Sequence, residues 1–90
     1  MNEDKAETLA LNALQFVLSD EILKGRFIGI TGLAPSDLNE AIYNKEFLGG
    51  VLDFILGNEI DLLIFCKEFG IDPEQPAKAR RLLPGHTLHY

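Results

Sequence analysis

Apolar residues recur along the chain three and four positions apart, and no stretch alternates apolar and polar positions as a half-buried strand does. In the first segment Leu9, Ala13 and Phe16 share one broad face. In the second segment Leu23 and Phe27 stand one turn apart. The same spacing continues to the last segment, so the pattern predicts an all-α fold of about six short helices.

Capping residues divide the first half of the chain into three helices. Asp4 predicts the start of the first helix, with Glu7 completing a capping box. Asp20 caps the second helix, and Gly32 supplies the left-handed residue that ends it. Pro35 predicts the start of a short third helix, because a missing N–H costs nothing at a first helical position.

The second half carries the same kinds of cap at Asn44, Gly57, Asn58 and Gly70. Its last helix has two predicted starts. Asp72-Pro73 resembles an acidic cap followed by proline, but Pro76 would then forfeit a hydrogen bond inside the helix. Gln75 is the alternative cap, and Leu82-Leu83 closes the helix in either case.

The second half also repeats the residues of the first. Residues 13–38 read ALQFVLSDEILKGRFIGITGLAPSDL and residues 51–76 read VLDFILGNEIDLLIFCKEFGIDPEQP. This predicts two pseudo-repeated three-helix units, residues 4–43 and 44–83, that close on each other as one compact bundle. We expect residues 1–90 to form a single domain with a flexible tail at 84–90. The identical pairs are Leu14/Leu52, Phe16/Phe54, Leu18/Leu56, Glu21/Glu59, Ile22/Ile60, Phe27/Phe65, Gly32/Gly70 and Pro35/Pro73.

Composition places the chain among globular proteins, with 47% hydrophobic residues in 90 positions. No apolar run approaches the ~20 residues of a membrane span, and the acidic start differs from the basic start of a signal peptide. The single cysteine, Cys66, lies in an apolar stretch and is expected to be a buried structural thiol. We therefore expect a soluble cytoplasmic protein without membrane association.

Charge gives a second, weaker hypothesis. A formal net charge of −6 disfavours nucleic-acid binding, which depends on accumulated Lys and Arg. Lys78, Arg80 and Arg81 nevertheless cluster in the last predicted helix and form a candidate basic patch. A basic face continuous with Lys24, Arg26 or Lys67 would favour a nucleic-acid-associated regulator.

Three strings, RFIGITGLAPSDL, FLGGVLDFIL and RLLPG, resemble a family of short alphaproteobacterial proteins catalogued only as a domain of unknown function. The resemblance covers roughly residues 5–85 and departs from the family pattern at Ala34 and Pro76. It implies an all-helical fold in a bacterial cytoplasm and nothing about activity. The matching positions are Arg26, Phe27, Thr31, Gly32, Leu33, Pro35, Leu38, Phe47, Leu48, Val51, Leu52, Asp53, Phe54, Ala79, Arg80, Pro84 and Gly85.

Candidate catalytic and metal-binding residues are few. Asp53 interrupts the apolar run VLDFIL, and a solvated helix face explains it better than a functional acid does. His86 and His89 have a spacing seen in metal sites, but they follow Pro84-Gly85 in a short tail. No histidine elsewhere can act as a base for a serine or cysteine nucleophile. We expect neither an enzyme nor a bound cofactor or metal.

Surface features favour binding. Ile60 and Ile64 lie on the side of the fifth helix that its charged residues mark as outward, so the helix is either buried nearly all round or leaves them exposed. Ile22 is the pseudo-equivalent of Ile60. The leading explanation for isoleucines on an outward helix face is therefore a contact between the two units, and the second is an exposed partner-binding patch. Gly25 and Gly29 predict close helix–helix approach.

These observations favour a small non-catalytic interaction or accessory protein. Its partner would be another protein or a second copy of itself. The alternatives are the nucleic-acid-associated regulator and a homodimer with a purely structural role.

Overall fold

The structure is a computed structural model that describes residues 1–85. Helical segments joined by short turns follow one another through this range, and it contains no strand. The all-α prediction is confirmed. The segments are α1 (Glu3–Leu18), α2 (Glu21–Thr31), a 3-10 helix (Pro35–Asp37), α3 (Leu38–Ala41), α4 (Lys45–Leu56), α5 (Glu59–Phe69) and α6 (Gln75–Arg81).

The long helices α1 and α4 form the centre of the bundle. They pack against each other, and α6 lies across both. The apolar face of α1 also receives α2 and α5. The radius of gyration of 12.2 Å is about that of a compact chain of this length. The buried apolar side chains are Ala6, Leu9, Ala10, Ala13, Leu14, Phe16, Val17, Leu23, Phe27, Leu48, Val51, Leu52, Ile55, Phe65, Cys66, Ala79 and Leu83.

Most of the predicted caps are confirmed. The side chains of Asp20, Asn44 and Asn58 accept backbone hydrogen bonds from the first turns of α2, α4 and α5. Gly32 and Gly70 adopt left-handed conformations, with φ of 69° and 65°, after α2 and α5. These positions require no long-range information, since each cap satisfies backbone groups only a few residues away.

Two predicted helix starts are wrong. The first helix begins at Glu3 and not at Asp4, because Asn2 Oδ1 accepts the backbone N–H of Lys5 at 2.9 Å. Asp4 therefore lies in the first turn, where its charge complements the helix dipole.

The last helix begins at Gln75 with Glu74 as its cap, so the start at Asp72-Pro73 is wrong and the later alternative is correct to within one residue. Asp72 Oδ1 accepts the N–H of Glu74 at 3.0 Å and closes a turn before the helix. Pro76 then falls at the second helical position, where no backbone donor is needed, and its ring is buried. The helix ends at Arg81, before the predicted Leu82-Leu83.

The segment after Gly32 is weaker than predicted. Pro35 does begin a helical turn, but it is a 3-10 turn that leads into the four residues of α3. Ala34 offers no side-chain acceptor, and Asp37 Oδ2 instead accepts the Ala34 N–H at 3.1 Å. Neither the 3-10 helix nor α3 contains a buried residue.

The order of helices in the two halves is similar, but the duplication stays a prediction. Phe16 corresponds to Phe54 in the repeat, and Phe27 corresponds to Phe65. The two ring contacts between the halves are therefore equivalent: the Phe16 and Phe65 ring centroids lie 5.5 Å apart, and those of Phe54 and Phe27 lie 5.3 Å apart. Phe54 is half-buried, whereas the other three rings are buried. The third segments differ, because α6 packs against α1 and α4 whereas α3 buries no residue.

The end of the described chain is held to α6. Arg80 donates to the carbonyl oxygen of Pro84 at 3.3 Å. The rest of the predicted flexible tail, with His86 and His89, lies outside the described residues. Among the described helices none is both long enough and apolar enough to cross a membrane.

Candidate functional site

Three apolar side chains project from the outer face of α5, and we call Ile60, Leu63 and Ile64 the α5 patch. Their exposed fractions are 71%, 48% and 44%. The opposite side of the helix buries Phe65 and Cys66 against the core. The structure therefore answers the question that the sequence left open, because Ile60 and Ile64 are exposed. The patch predicted from the sequence did not include Leu63, although Leu63 lies within one helical turn of both isoleucines.

The predicted contact between Ile22 and Ile60 is wrong. Ile22 on α2 is 75% exposed, and neither isoleucine is buried by the other half of the chain. The interpretation of Gly25 and Gly29 as sites of close helix–helix approach is also wrong. A Cβ atom added to either glycine would meet no atom within 4 Å. Both lie on the exposed face of α2, beside Ile22.

Arg80 does not belong to a basic surface patch, because it is 6% exposed. Its Nε donates to Asp53 Oδ1 at 2.6 Å, and its Nη1 donates to the carbonyl oxygens of Leu83 and Pro84 at 3.1 and 3.3 Å. The guanidinium thus caps the end of α6 and ties it to α4. The prediction that Arg80 contacts nucleic acid is corrected on this ground.

The guanidinium of Arg80 rests on a glycine of α4. A Cβ atom added to Gly49 would lie 2.9 Å from Arg80 Nη1 and 3.0 Å from the Pro84 carbonyl oxygen. Gly49 and Asp53 are one helical turn apart, so both face α6. Gly85, with φ of 91°, then turns the chain beside the same guanidinium. We call this arrangement of Gly49, Asp53, Arg80 and Pro84 the arginine lock.

The other two residues of the candidate basic patch remain at the surface. Lys78 Nζ lies 3.9 Å from Glu74 Oε2, one turn earlier on α6. Arg81 is exposed and forms no ion pair within residues 1–85. Arg26, one of the cations predicted to extend the patch, instead pairs with Asp61, whose Oδ2 lies 3.7 Å from Arg26 Nη1.

A cleft of about 370 Å³ lies between α2 and α4. The rings of Phe27 and Phe54 form part of its lining, and Gly50 contributes no side chain to fill it. Arg26 lies over the Phe54 ring, with Cζ 5.7 Å from the ring centroid. Asp53 stands at the edge of this cleft, with its carboxylate already paired to Arg80. The cleft can receive a small apolar group and offers polar groups at its rim.

Cys66 is buried and reduced, as the sequence predicted. Burial raises the pKa of its thiol above the ordinary value of 9.0, and the nearby carboxylate of Asp72 raises it further. Both effects disfavour the thiolate, which is the reactive form of cysteine. At the surface, Lys45 pairs with Glu3, and this hydrogen bond raises the pKa of the lysine.

No three His, Cys, Asp or Glu side chains converge on a metal-sized site in the part of the chain that the structure describes. The notable features of the described chain are an arginine lock between α4 and α6 and an apolar patch on the outer face of α5.

Fold and surface together define a small helical domain built around α1 and α4, with an exposed apolar patch on α5. The chain belongs to the family described as "Protein of unknown function (DUF3572)", whose model matches residues 3–86. The predicted resemblance to a family catalogued as a domain of unknown function is confirmed. No curated protein and no solved structure matches the chain.

Proposed function

We propose that the protein is a non-catalytic interaction protein of the bacterial cytoplasm that binds a protein partner through the α5 patch. The observation that carries the proposal is the exposure of three adjacent apolar side chains, Ile60, Leu63 and Ile64, on one helix face. Contiguous exposed apolar surface on a small folded domain is typical of an interaction site.

The energy available from the α5 patch is sufficient for a specific but modest interaction. Fully burying an exposed isoleucine stabilises a complex by about 1.5–3 kcal/mol. Because Ile60 is 71% and Ile64 44% exposed, the two together contribute about 2–3 kcal/mol before the cost of association. Leu63 adds to this total. A weak to moderate affinity follows, which suits an accessory protein.

The chemistry of the core supports a non-catalytic role. Cys66 is the residue with the strongest intrinsic nucleophile, and its burial and raised pKa both oppose thiolate formation. Asp53 carries a carboxylate at the cleft, but that carboxylate is paired with Arg80 and serves the packing of α6.

The nucleic-acid alternative has less support. Arg80, the central residue of the candidate basic patch, is engaged by Asp53 and two carbonyl oxygens. Lys78 and Arg81 remain, in a protein of formal net charge −6. Two surface cations neutralise too little phosphate charge for appreciable affinity at physiological salt.

The test compares two matched double variants in affinity capture from cells that produce the protein. Ile60→Ser with Ile64→Ser should abolish capture, because it removes the centre of the α5 patch. Ile22→Ser with Ile30→Ser is the control, since those isoleucines are 75% and 72% exposed on α2. Circular dichroism should show unchanged helical content in both. Equal loss of capture in the two variants, or retention in both, would contradict the proposal.

A further inference from the structure

We infer that the partner of the α5 patch is a second copy of this chain. The two copies would pair antiparallel along α5, across a two-fold axis that passes near Leu63. This inference rests on the proposed use of the α5 patch and identifies the surface that covers it.

One row of side chains on α5 carries a charge at each end. Glu59, Leu63 and Lys67 are spaced four residues apart, so they lie in a single row along the outer surface of the helix. All three are exposed. The row carries a negative charge at its beginning, an apolar residue at its centre and a positive charge at its end.

Such a row is complementary to itself when it is reversed. A two-fold axis at Leu63 places Glu59 of each copy opposite Lys67 of the other, because both stand four residues from the axis. The interface is then isologous, with two equivalent ion pairs flanking a central leucine contact. Ile60 and Ile64 occupy the adjacent row and cover that contact. The antiparallel arrangement also sets the two helix dipoles in opposition.

The charges at the two ends of the row have no competing partner inside the chain. Within residues 1–85 neither Glu59 nor Lys67 forms an ion pair. The neighbouring acid Asp61 does, because Arg26 of α2 lies 3.7 Å from it. The unpaired charges therefore lie where the proposed dimer uses them.

The size of the surface sets the expected strength. One face of an 11-residue helix on each copy buries less than the 1,200–2,000 Å² that is roughly typical of stable complexes. We therefore expect a concentration-dependent dimer with a dissociation constant of about 0.1 mM. Surface ion pairs are screened by salt, so added salt should weaken the dimer without abolishing the apolar contact.

Sedimentation equilibrium of the full chain, up to about 1 mM protein, measures this association directly. Leu63→Ser should remove it. Glu59→Lys and Lys67→Glu should each weaken it by about fivefold or more, because each sets like charges opposite each other. The double variant Glu59→Lys with Lys67→Glu should return to within about twofold of the original constant. Glu40→Lys on α3 is the control for net charge and should change little.

The double charge reversal separates pairing from folding. Each single reversal opposes the dipole of α5, so the double variant carries both penalties and is the least stable helix of the series. Restored association in that variant would support the two-fold pairing. A dimer that responds to none of the α5 substitutions would overturn the inference.

Two further outcomes separate the inference from the proposed function. A protein that stays monomeric throughout, yet loses partner capture when Ile60 and Ile64 are replaced, would overturn the second copy as the occupant and leave the interaction role intact. A monomer whose capture is unaffected by the same replacement would overturn both.

Discussion

Gly49 and Gly50 are neighbours on α4, and alanine substitution should change the stability of the protein in opposite directions at the two positions. A Cβ atom on Gly50 would meet no atom within 4 Å, because it points into the cleft between α2 and α4. A Cβ atom on Gly49 would lie 2.9 Å from Arg80 Nη1 and 3.0 Å from the Pro84 carbonyl oxygen. The same chemical change therefore tests the arginine lock at one position and open space at the other.

The magnitudes follow from two separate effects. Replacing a helical glycine with alanine stabilises a helix by about 0.5–1 kcal/mol, and Gly50→Ala should show this gain in full. Gly49→Ala receives the same gain but must displace either the Arg80 guanidinium or the Pro84 carbonyl group. Overpacking of this kind costs about 1–3 kcal/mol, and any weakening of the Asp53–Arg80 pair adds to it. We expect a difference of about 2 kcal/mol or more between the two variants.

Urea unfolding followed by circular dichroism measures both free energies of unfolding, with unchanged m values as the sign of an unchanged unfolding reaction. Gly25→Ala on α2 is a second control, because its Cβ atom would also meet no neighbour within 4 Å. The harm done by Gly49→Ala should shrink in an Arg80→Met background, where the guanidinium is absent. Equal stability of the Gly49→Ala and Gly50→Ala variants would refute the close contact between α4 and Arg80.

Three further predictions concern stability. Asp53→Ala should cost about 1–3 kcal/mol, and more than Arg80→Met. Asp53→Ala removes the only counter-charge within residues 1–85 of a buried guanidinium, whereas Arg80→Met leaves a carboxylate that is 58% exposed. Equal costs in urea unfolding would contradict this. Ala34→Asp should stabilise the protein by about 0.5–2 kcal/mol as a new cap, because no side chain accepts the first N–H groups of this turn. The absence of any gain in urea unfolding would show that the 3-10 turn at Pro35 offers a new cap no N–H group. The free energy of unfolding should fall as the pH rises past 9.0, the ordinary pKa of a cysteine thiol. The pKa of Cys66 is raised in the folded protein, so the unfolded chain loses the thiol proton first and is favoured by rising pH. Comparison with Cys66→Ala across that range isolates the effect, and parallel pH curves would count against it.

The parts of the fold that the sequence predicted are those decided by neighbours along the chain. The caps at Asp20, Asn44 and Asn58 each need only a side-chain oxygen and the next turn of backbone. The left-handed residues Gly32 and Gly70 likewise follow from local geometry. The misplaced helix starts arose where two local signals competed, as at Asp72 and Gln75.

The arginine lock could not be predicted in the same way. Asp53 and Arg80 lie on different helices, and their pairing depends on how α6 crosses α4. Helical periodicity placed the Asp53 side chain toward solvent, which is largely correct, but gave no indication of its partner. The Gly49-Gly50 pair in a helix was a visible anomaly, and its meaning required the position of Arg80.

The error over Ile60 has a different origin. The charged residues around it indicated an outward face, and that indication was correct. The pseudo-equivalence of Ile22 and Ile60 suggested instead a contact between the two units. The aromatic pairs Phe16–Phe65 and Phe27–Phe54 form contacts between the halves. Ile22 and Ile60 lie on the outer faces of α2 and α5 and remain exposed.

The arginine lock and the α5 patch lie on different helices, so the stability of the fold and the binding of a partner depend largely on different residues. The helix α6 has only seven residues, too few to be stable alone, so it depends on packing and on Arg80 to stay across α1 and α4. The α5 patch lies on a different helix and takes no part in that lock. Substitutions at Gly49, Asp53 or Arg80 should therefore lower the fraction of folded protein without changing the affinity of each folded molecule. Substitution of Ile60 should act mainly on binding, because a side chain that is 71% exposed contributes little to folding. Leu63 and Ile64 are about half-buried, so their substitution should lower stability as well as affinity.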